Sequence, residues 1–330
     1  MDYFVTGATG SIGSYLVHEL VDNGHDVRAL TRSRANASHL PAEAEIVEGD
    51  ITNKESIREP MDGVNGVFYL ASFFYVGPGP NHIDTAERIN VEGTRNVLEL
   101  IAELDIPKAV YTSTIGVYGH TGGDPVDESY HSADPLPGVY FRTKWEAHYE
   151  VANPMMNDGL PLIVVLPGIV FGRYDKEYGS ARAAMRDYLQ ANLPLIPRGF
   201  IAPFEHAEDT ARAHVRAMEA GEPREEYIIA PDAVSMAEVF EYAEDITGIP
   251  APRAVSPAMF GALARMMDVV ERVVTPPEGL EAENLRFLAG NKIPVDNTKA
   301  RRELGIEHRP LAEGLRDYLE WEMDQLGVHQ

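Results

Sequence analysis

Residues 2–13, DYFVTGATGSIG, decide how the rest of the chain is read. A short run with strand character, 2–6, enters a turn with glycine at positions 7, 10 and 13. Ile12, Leu16, Leu20 and Val21 then recur at helical spacing through 11–23. A glycine triplet alone is a weak signal, but one that follows a strand and opens a helix has a physical purpose. The glycines let the backbone turn tightly, approach a pyrophosphate and pack the helix on the sheet, while the helix N-terminus attracts the anion. The spacing is G-x-x-G-x-x-G rather than G-x-G-x-x-G. Gly7, Thr9, Gly10, Ser11, Ile12 and Gly13 are therefore the candidate dinucleotide contacts of this turn.

Working outward, strands are expected at 26–31, 45–48, 66–71, 108–113 and 161–166, with helices at 53–61, 84–104 and 139–157. Strands that alternate with helices need right-handed crossovers, which make a parallel sheet covered on both faces. The fold class is α/β, a Rossmann-type doubly wound sheet. After Pro167 the rhythm loosens into helices at 179–192, 207–220, 235–247, 256–273 and 309–326, separated by proline-rich turns. Residues 1–170 are expected to form the dinucleotide-binding domain, with segments near 203–232 returning to it. Residues 171–330 are expected to form mainly a smaller, mostly helical substrate lobe.

The end of the second strand bears on which dinucleotide binds. A carboxylate there would hold the adenosine ribose, whereas arginine accommodates a 2′-phosphate. The strand ends Leu30–Thr31–Arg32–Ser33–Arg34 with no acid, so Arg32, supported by Arg34, points to NADP, with NAD as the other possibility. Asp50 and Ile51, in GDI after the third strand, are placed to reach the adenine. Ala71 ends the fourth strand near the nicotinamide ribose.

Tyr140 and Lys144 stand four residues apart on an expected helix, on one face and about one turn from each other. An ammonium there favours the phenolate, so the tyrosine's pKa is expected to fall toward the working range. Around this pair the chain resembles the extended short-chain dehydrogenase/reductase superfamily. The likeness rests on TGATGSIG (6–13), GDI (49–51), YLAS (69–72), NVEGTRNVLE (90–99), YTSTIGVYG (111–119) and YFRTK (140–144). PGIVFG (167–172) and VDNTKARRELG (295–305) extend it over nearly the whole chain. The resemblance implies that Thr114 hydrogen-bonds the substrate oxygen and that Tyr140 transfers the proton. It also implies that Lys144 binds the nicotinamide ribose, that Pro167 and Ile169 contact the cofactor, and that Asn90 lies near the site. Thr112 is either a cofactor contact or a plain strand residue. Many members dimerise through helices corresponding to 86–104 and 139–157, so a homodimer is expected.

Composition bounds the partners. There is no cysteine, which removes disulfides, thiolate catalysis and cysteine-ligated metals, and no metal site is expected. A net charge of −24 argues against nucleic acid or an anionic membrane as partner. No apolar run reaches the roughly 18 residues a bilayer span needs, and no signal-peptide pattern opens the chain, so a cytoplasmic location is expected. Arginine outnumbers lysine 22 to six and the acids are scattered. That pattern suits either an acidic mesophilic enzyme or a halophilic one, whose surface carboxylates stay hydrated in a salt-loaded cytoplasm.

For the substrate, Ser72, Phe73 and Phe74 precede Tyr75 and a Gly77–Pro78–Gly79–Pro80 turn, beside the expected nicotinamide. With Thr114 and Tyr140 they are the candidate substrate contacts, and aromatic rings suit an apolar small molecule. Nucleotide-sugar members of the superfamily carry an asparagine after Pro167 and an arginine a few residues before a histidine. This chain has Gly168–Ile169 at the first place and Ala202, before His206, at the second. The expected function is thus an NAD(P)-dependent alcohol dehydrogenase or carbonyl reductase, in the manner of the dihydroflavonol-reductase and 3β-hydroxysteroid-dehydrogenase branch. The alternatives are a nucleotide-sugar epimerase or dehydratase with bound NAD, and a cofactor-sensing regulator on the same fold.

Overall fold

Seven parallel strands form the central sheet, in the spatial order 226–228, 162–166, 109–112, 66–69, 2–6, 26–31 and 45–48. In this computed structural model residues 1–74, 80–174, 181–271, 273–274, 281–289 and 291–328 are described. The strands are β1 (Asp2–Thr6), β2 (Asp26–Thr31), β3 (Glu45–Glu48), β4 (Gly66–Tyr69), β5 (Ala109–Thr112), β6 (Leu162–Leu166) and β11 (Glu226–Ile228). Side chains of a strand alternate between faces, and here both faces are covered. Tyr3, Val5, Val27, Ala29, Phe68, Val110, Ile163 and Val165 pack on α1 (Ser11–Asp22) and on α8 (Ala207–Ala220). Phe4, Leu30, Val67, Tyr69, Ala109, Tyr111, Leu162 and Val164 face the other way. They meet α2 (Lys54–Met61), α4 (Gly93–Glu103) and α6 (Asn153–Asn157). This is a Rossmann-type doubly wound sheet, flanked by a smaller, largely helical C-terminal lobe.

The strand order reverses between β1 and β4, which pair in parallel with Thr6 opposite Tyr69. Connections leave in opposite directions at such a switch point, so a crevice opens beyond the carboxyl ends of the two strands. The glycine turn after β1 and residues 70–74 after β4 line it. Here β4 is shorter than the expected 66–71, for a specific reason. The N–H groups of Leu70 and Ala71 both donate to Thr6 Oγ1 at 3.1 Å, not to a neighbouring strand's carbonyl.

The helix expected at 84–104 begins at α3 (Pro80–Ala86) and passes through a π-helical turn, Glu87–Glu92, into α4. The one expected at 139–157 is α5 (Val139–Trp145), a second π turn (Glu146–Ala152) and α6. Neither π turn is visible in an apolar pattern. The lobe packs α7 (Ala181–Leu189), α9 (Met236–Thr247) and α13 (Leu311–Leu326) around Tyr188, Phe200, Phe240 and Tyr318. Short strands stiffen its base: β7 (Ile169–Phe171) pairs with β10 (Phe204–His206), and β9 (Ile201–Ala202) with β12 (Val234–Ser235). Strands β8 (Leu195–Pro197) and β13 (Arg253–Val255) pair likewise. Helices α10 (Pro257–Val270), α11 (Ala282–Leu288) and α12 (Thr298–Leu304) complete the chain. No helix among the described residues is long and apolar enough to cross a membrane.

Candidate active site

The turn after β1 is built so that only glycine serves at two of its positions. Gly7 has φ +66°, and a Cβ there would lie 2.8 Å from the Ala71 nitrogen. A Cβ on Gly13 would lie 2.2 Å from the Gly7 carbonyl oxygen, so α1 sits directly on the turn. The helix starts after Gly10, which has no side chain to cap the first amides, and the buried Ser11 Oγ has no hydrogen-bond partner. Unpaired donors at the N-terminus of a twelve-residue helix are what a dinucleotide pyrophosphate requires. The residues present fit that group. Thr9 and Ile12 flank the same turn and are partly exposed.

Beyond β2, Arg32 is exposed and has no ion pair among the described residues, whereas Arg34 pairs with Glu48 at 3.8 Å. The expected support from Arg34 is therefore divided with a carboxylate. Asp50 Oδ1 accepts the Thr52 N–H and hydroxyl, both at 2.9 Å, closing a local turn and leaving Oδ2 for a ligand. The Ile51 side chain is buried in the core against Gly93, and its carbonyl accepts the Asn96 side-chain amide at 2.8 Å.

Thr114, Tyr140 and Lys144 converge at the carboxyl end of β5. Thr114 Oγ1 accepts the Gly116 N–H at 3.1 Å, which leaves its proton free to donate. Lys144 Nζ donates to the Thr112 carbonyl oxygen at 2.8 Å and to the Tyr111 hydroxyl at 3.3 Å. These contacts correct the electrostatic expectation. Burial pushes the Tyr140 phenol up, to about 12, and the Thr114 hydroxyl opposes this without reversing it. Burial likewise depresses the Lys144 ammonium to about 7. Desolvation outweighs the attraction expected from spacing along the helix, because the lysine is turned toward β5.

Asn90, at the centre of the first π turn, joins the walls of the crevice. Its Oδ1 accepts from the Phe73 N–H at 2.7 Å and the Ser72 hydroxyl at 3.1 Å. Its Nδ2 donates to the Phe73 carbonyl and to Thr143 Oγ1, each at 3.0 Å. The loop after β4 is thereby tied to the helix that carries Tyr140. Phe74 stands edge-on to the Tyr140 ring at 4.6 Å, and ring contacts continue from Tyr140 through Phe141 and Phe287 to Phe200. Tyr75 and the turn at 77–79 lie outside the described residues. Ala71 and Ser72 line the opening, while Thr112 is buried at 8 % exposure and engaged with His214. Pro167 and Ile169 continue the wall from β6 to β7, fixed by the bonds Ile115 N–H to Pro167 O and Ile169 N–H to Pro203 O.

The model of the NAD dependent epimerase/dehydratase family matches residues 3–230. This chain belongs to that family. Within the epimerase/dehydratase family it is similar to a putative dihydroflavonol 4-reductase of Synechocystis, with 28% identity over 97% of this chain and 94% of the other. It is also 26% identical to a UDP-glucose 4-epimerase of Corynebacterium glutamicum, over 82% of this chain and 88% of that one. A UDP-glucose 4-epimerase of Thermotoga maritima, solved with UDP-glucose, has the same fold, with TM-score 0.79 at 23% identity over 99% and 100% of the two chains. Several other solved structures of this fold carry UDP-sugars with NAD. The chain is accordingly an NAD(P)-dependent oxidoreductase of the extended short-chain dehydrogenase and epimerase type.

Sequence reasoning did not single out four buried residues that stand behind Lys144, Thr112 and Gly168. Tyr111 holds Lys144, and His214, Thr210 and Glu205 run behind β5 toward Gly168. The one available signal was a carboxylate at 205 between Phe204 and His206, where a short buried strand calls for an apolar residue.

Proposed function

We propose that the chain interconverts a carbon-bound hydroxyl and a ketone, with Tyr140 passing the proton and Thr114 holding the substrate oxygen. One observation carries this reading: Thr114, Tyr140 and Lys144 meet at the carboxyl end of β5 beside the Gly7 turn, with Thr114 Oγ1 held by the Gly116 N–H at 3.1 Å and Lys144 Nζ by the Thr112 carbonyl at 2.8 Å. A dinucleotide held by the Gly7 turn and Lys144 would supply or take the hydride. A phenol with its pKa raised to about 12 is protonated at neutral pH and donates as oxyanion character develops on the substrate. Thr114 is held by Gly116 N–H, so its hydroxyl is aimed before substrate arrives. Lys144, fixed by Thr112 and Tyr111, stands one helical turn away as the candidate ribose contact.

For the dinucleotide we favour NADP, on the strength of Arg32. A charge-assisted contact to a 2′-phosphate contributes about 1.5–3 kcal/mol, roughly 10- to 100-fold in affinity. Arg32→Ala should therefore raise KM for NADPH at least about tenfold and leave KM for NADH nearly unchanged. Equal effects on the two cofactors would remove Arg32 from the phosphate site.

As substrate we favour an apolar or aromatic ketone, supported by the residues around Tyr140. Ala202 is fully buried in the lobe core and brings no charge to the place where a diphosphate would need an arginine. Arg182 and Arg186 are committed to the buried Glu322, at 2.9 and 3.0 Å. Meanwhile the rings of Phe74, Tyr140, Phe141 and Phe287 line one side. A nucleotide sugar is the second reading, and the comparisons lean toward it. It has its own support in Lys292, which is exposed, has no ion pair among the described residues and bridges to Ile201, beside Ala202. Absorbance at the nicotinamide band separates the two. Net oxidation of NADPH by aryl or alicyclic ketones, and none with UDP-sugars, is expected for the first. Epimerisation of a UDP-sugar without net cofactor consumption would establish the second.

A further inference from the structure

Glu205 is a buried carboxylate that the proton transfer above does not use. It stands on β10 with 3 % of its surface exposed. Its Oε1 accepts the Gly168 N–H at 2.6 Å and its Oε2 accepts the Thr210 hydroxyl at 2.9 Å. Gly168 lies between Pro167 and Ile169, the wall that the dinucleotide reading places beside the nicotinamide. On the far side of Thr210 the same buried set continues into the Lys144 anchor. The Thr210 carbonyl meets His214 Nδ1 at 2.7 Å, and His214 Nε2 meets Thr112 Oγ1 at 2.7 Å. Thr112 in turn presents its carbonyl to Lys144. The oxidised nicotinamide ring is a cation and the reduced ring is neutral, so a charge behind that wall acts on the two forms unequally.

We propose that Glu205 is a positioning residue for the nicotinamide end of the cofactor, acting through Gly168, and that its negative charge favours the oxidised over the reduced dinucleotide. The inference rests on the dinucleotide reading of the crevice. Both protonation states suit the local bonds. As a carboxylate, Glu205 accepts from Gly168 and Thr210, and the bond from Gly168 becomes charge-assisted and stronger. As an acid, it can donate through Oε2 to Thr210 Oγ1, whose own proton then turns to the His206 carbonyl at 3.3 Å. Burial, the largest influence, raises the carboxyl to about 8, and the bonds from Gly168 and Thr210 oppose that rise.

The charged and titratable neighbours are few. From α8, Asp209 pushes Glu205 further up, and its own charge is held by Arg309 and Arg212. Glu208, also on α8, pairs with Arg309. His206 on β10 is lowered by burial to about 4 and His214 on α8 likewise, so both are neutral near pH 8. His308, from the segment before α13, is lowered as well. β7 presents no titratable side chain to it. Glu205 is thus the carboxyl of this cluster whose charge changes between pH 7 and 9, while the Lys144 ammonium, lowered to about 7, loses its charge at the lower end of that range.

The test measures dissociation constants of the oxidised and reduced dinucleotide, by fluorescence for the reduced form and calorimetry for both, between pH 6.5 and 9.5. In the native chain the ratio of the oxidised-form to the reduced-form constant should fall about tenfold as Glu205 ionises. In Glu205→Gln, with its folding checked by thermal melting, that fall should be absent, leaving only the pH dependence that Lys144 gives to both proteins. Thr210→Val removes the hydroxyl that stabilises the carboxylate, so there the midpoint should move to higher pH. It serves as an independent variant should the glutamine variant fail to fold. Titration of Lys144 is common to all three proteins and cancels in the comparison. A native ratio independent of pH, or the same fall in Glu205→Gln, would overturn the proposal while leaving the dinucleotide site intact. Failure of the native chain to bind either form would overturn both.

Discussion

Tyr140→Phe should lower turnover by about 10²-fold or more, equivalent to a loss of about 2.7 kcal/mol or more in transition-state stabilisation. Dinucleotide affinity should change little. The phenol stands on α5, flanked by Phe74 and Phe141, so phenylalanine refills the same volume. Only the transferable proton is lost. The expected signature is a fall in kcat with the cofactor constant nearly unchanged, and Thr114→Ala should show the same pattern more weakly. A phenylalanine variant with near-normal kcat would take Tyr140 out of the chemistry and leave the fold's dinucleotide site without its proposed acid.

Gly13→Ala should have the second large effect, on binding rather than turnover. The added Cβ would lie 2.2 Å from the Gly7 carbonyl oxygen, 2.8 Å from its carbon and 2.9 Å from the Ala8 Cα. All three are backbone atoms at the end of β1, so no flexible side chain can yield. Either α1 moves outward or the turn opens, and both spoil the unpaired amides at the helix N-terminus. We expect dinucleotide affinity to fall about 10²-fold and the protein to lose about 1–3 kcal/mol of stability, as in other overpacked sites. Titration with NADPH and a thermal melt measure the two. Unchanged affinity would mean that the α1 N-terminus is not where the pyrophosphate binds.

Much of the fold was legible because its signals are local. A strand buried on both faces reads as an apolar run, and a helix shows its inward face every three to four residues. β1, β2 and β3 therefore begin and end where the pattern places them. The shortening of β4 was not legible, since it depends on the Thr6 hydroxyl, 64 residues from Leu70. The π turns at Glu87–Glu92 and Glu146–Ala152 were hidden for a related reason. One extra residue in a helical turn hardly disturbs an amphipathic pattern, yet it aims the Asn90 side chain at two walls of the crevice.

By itself the sequence determined the strand, turn and helix that open the chain, and the placing of Tyr140 and Lys144 on one helix. Glycine spacing, apolar period and a four-residue interval all act within a few residues, where the backbone leaves few choices. Tertiary structure decided the rest of the site. It turned Lys144 toward Thr112 and Tyr111, so that burial raises Tyr140 where spacing alone implied a fall. It buried Ala202 in the lobe core and brought Lys292 to the neighbouring Ile201. It also linked Thr112 to His214 across 102 residues and brought Glu205 against Gly168 across 37. Charge, desolvation and hydrogen bonding act through space, and no pattern along the chain records which distant groups will exclude water from one another.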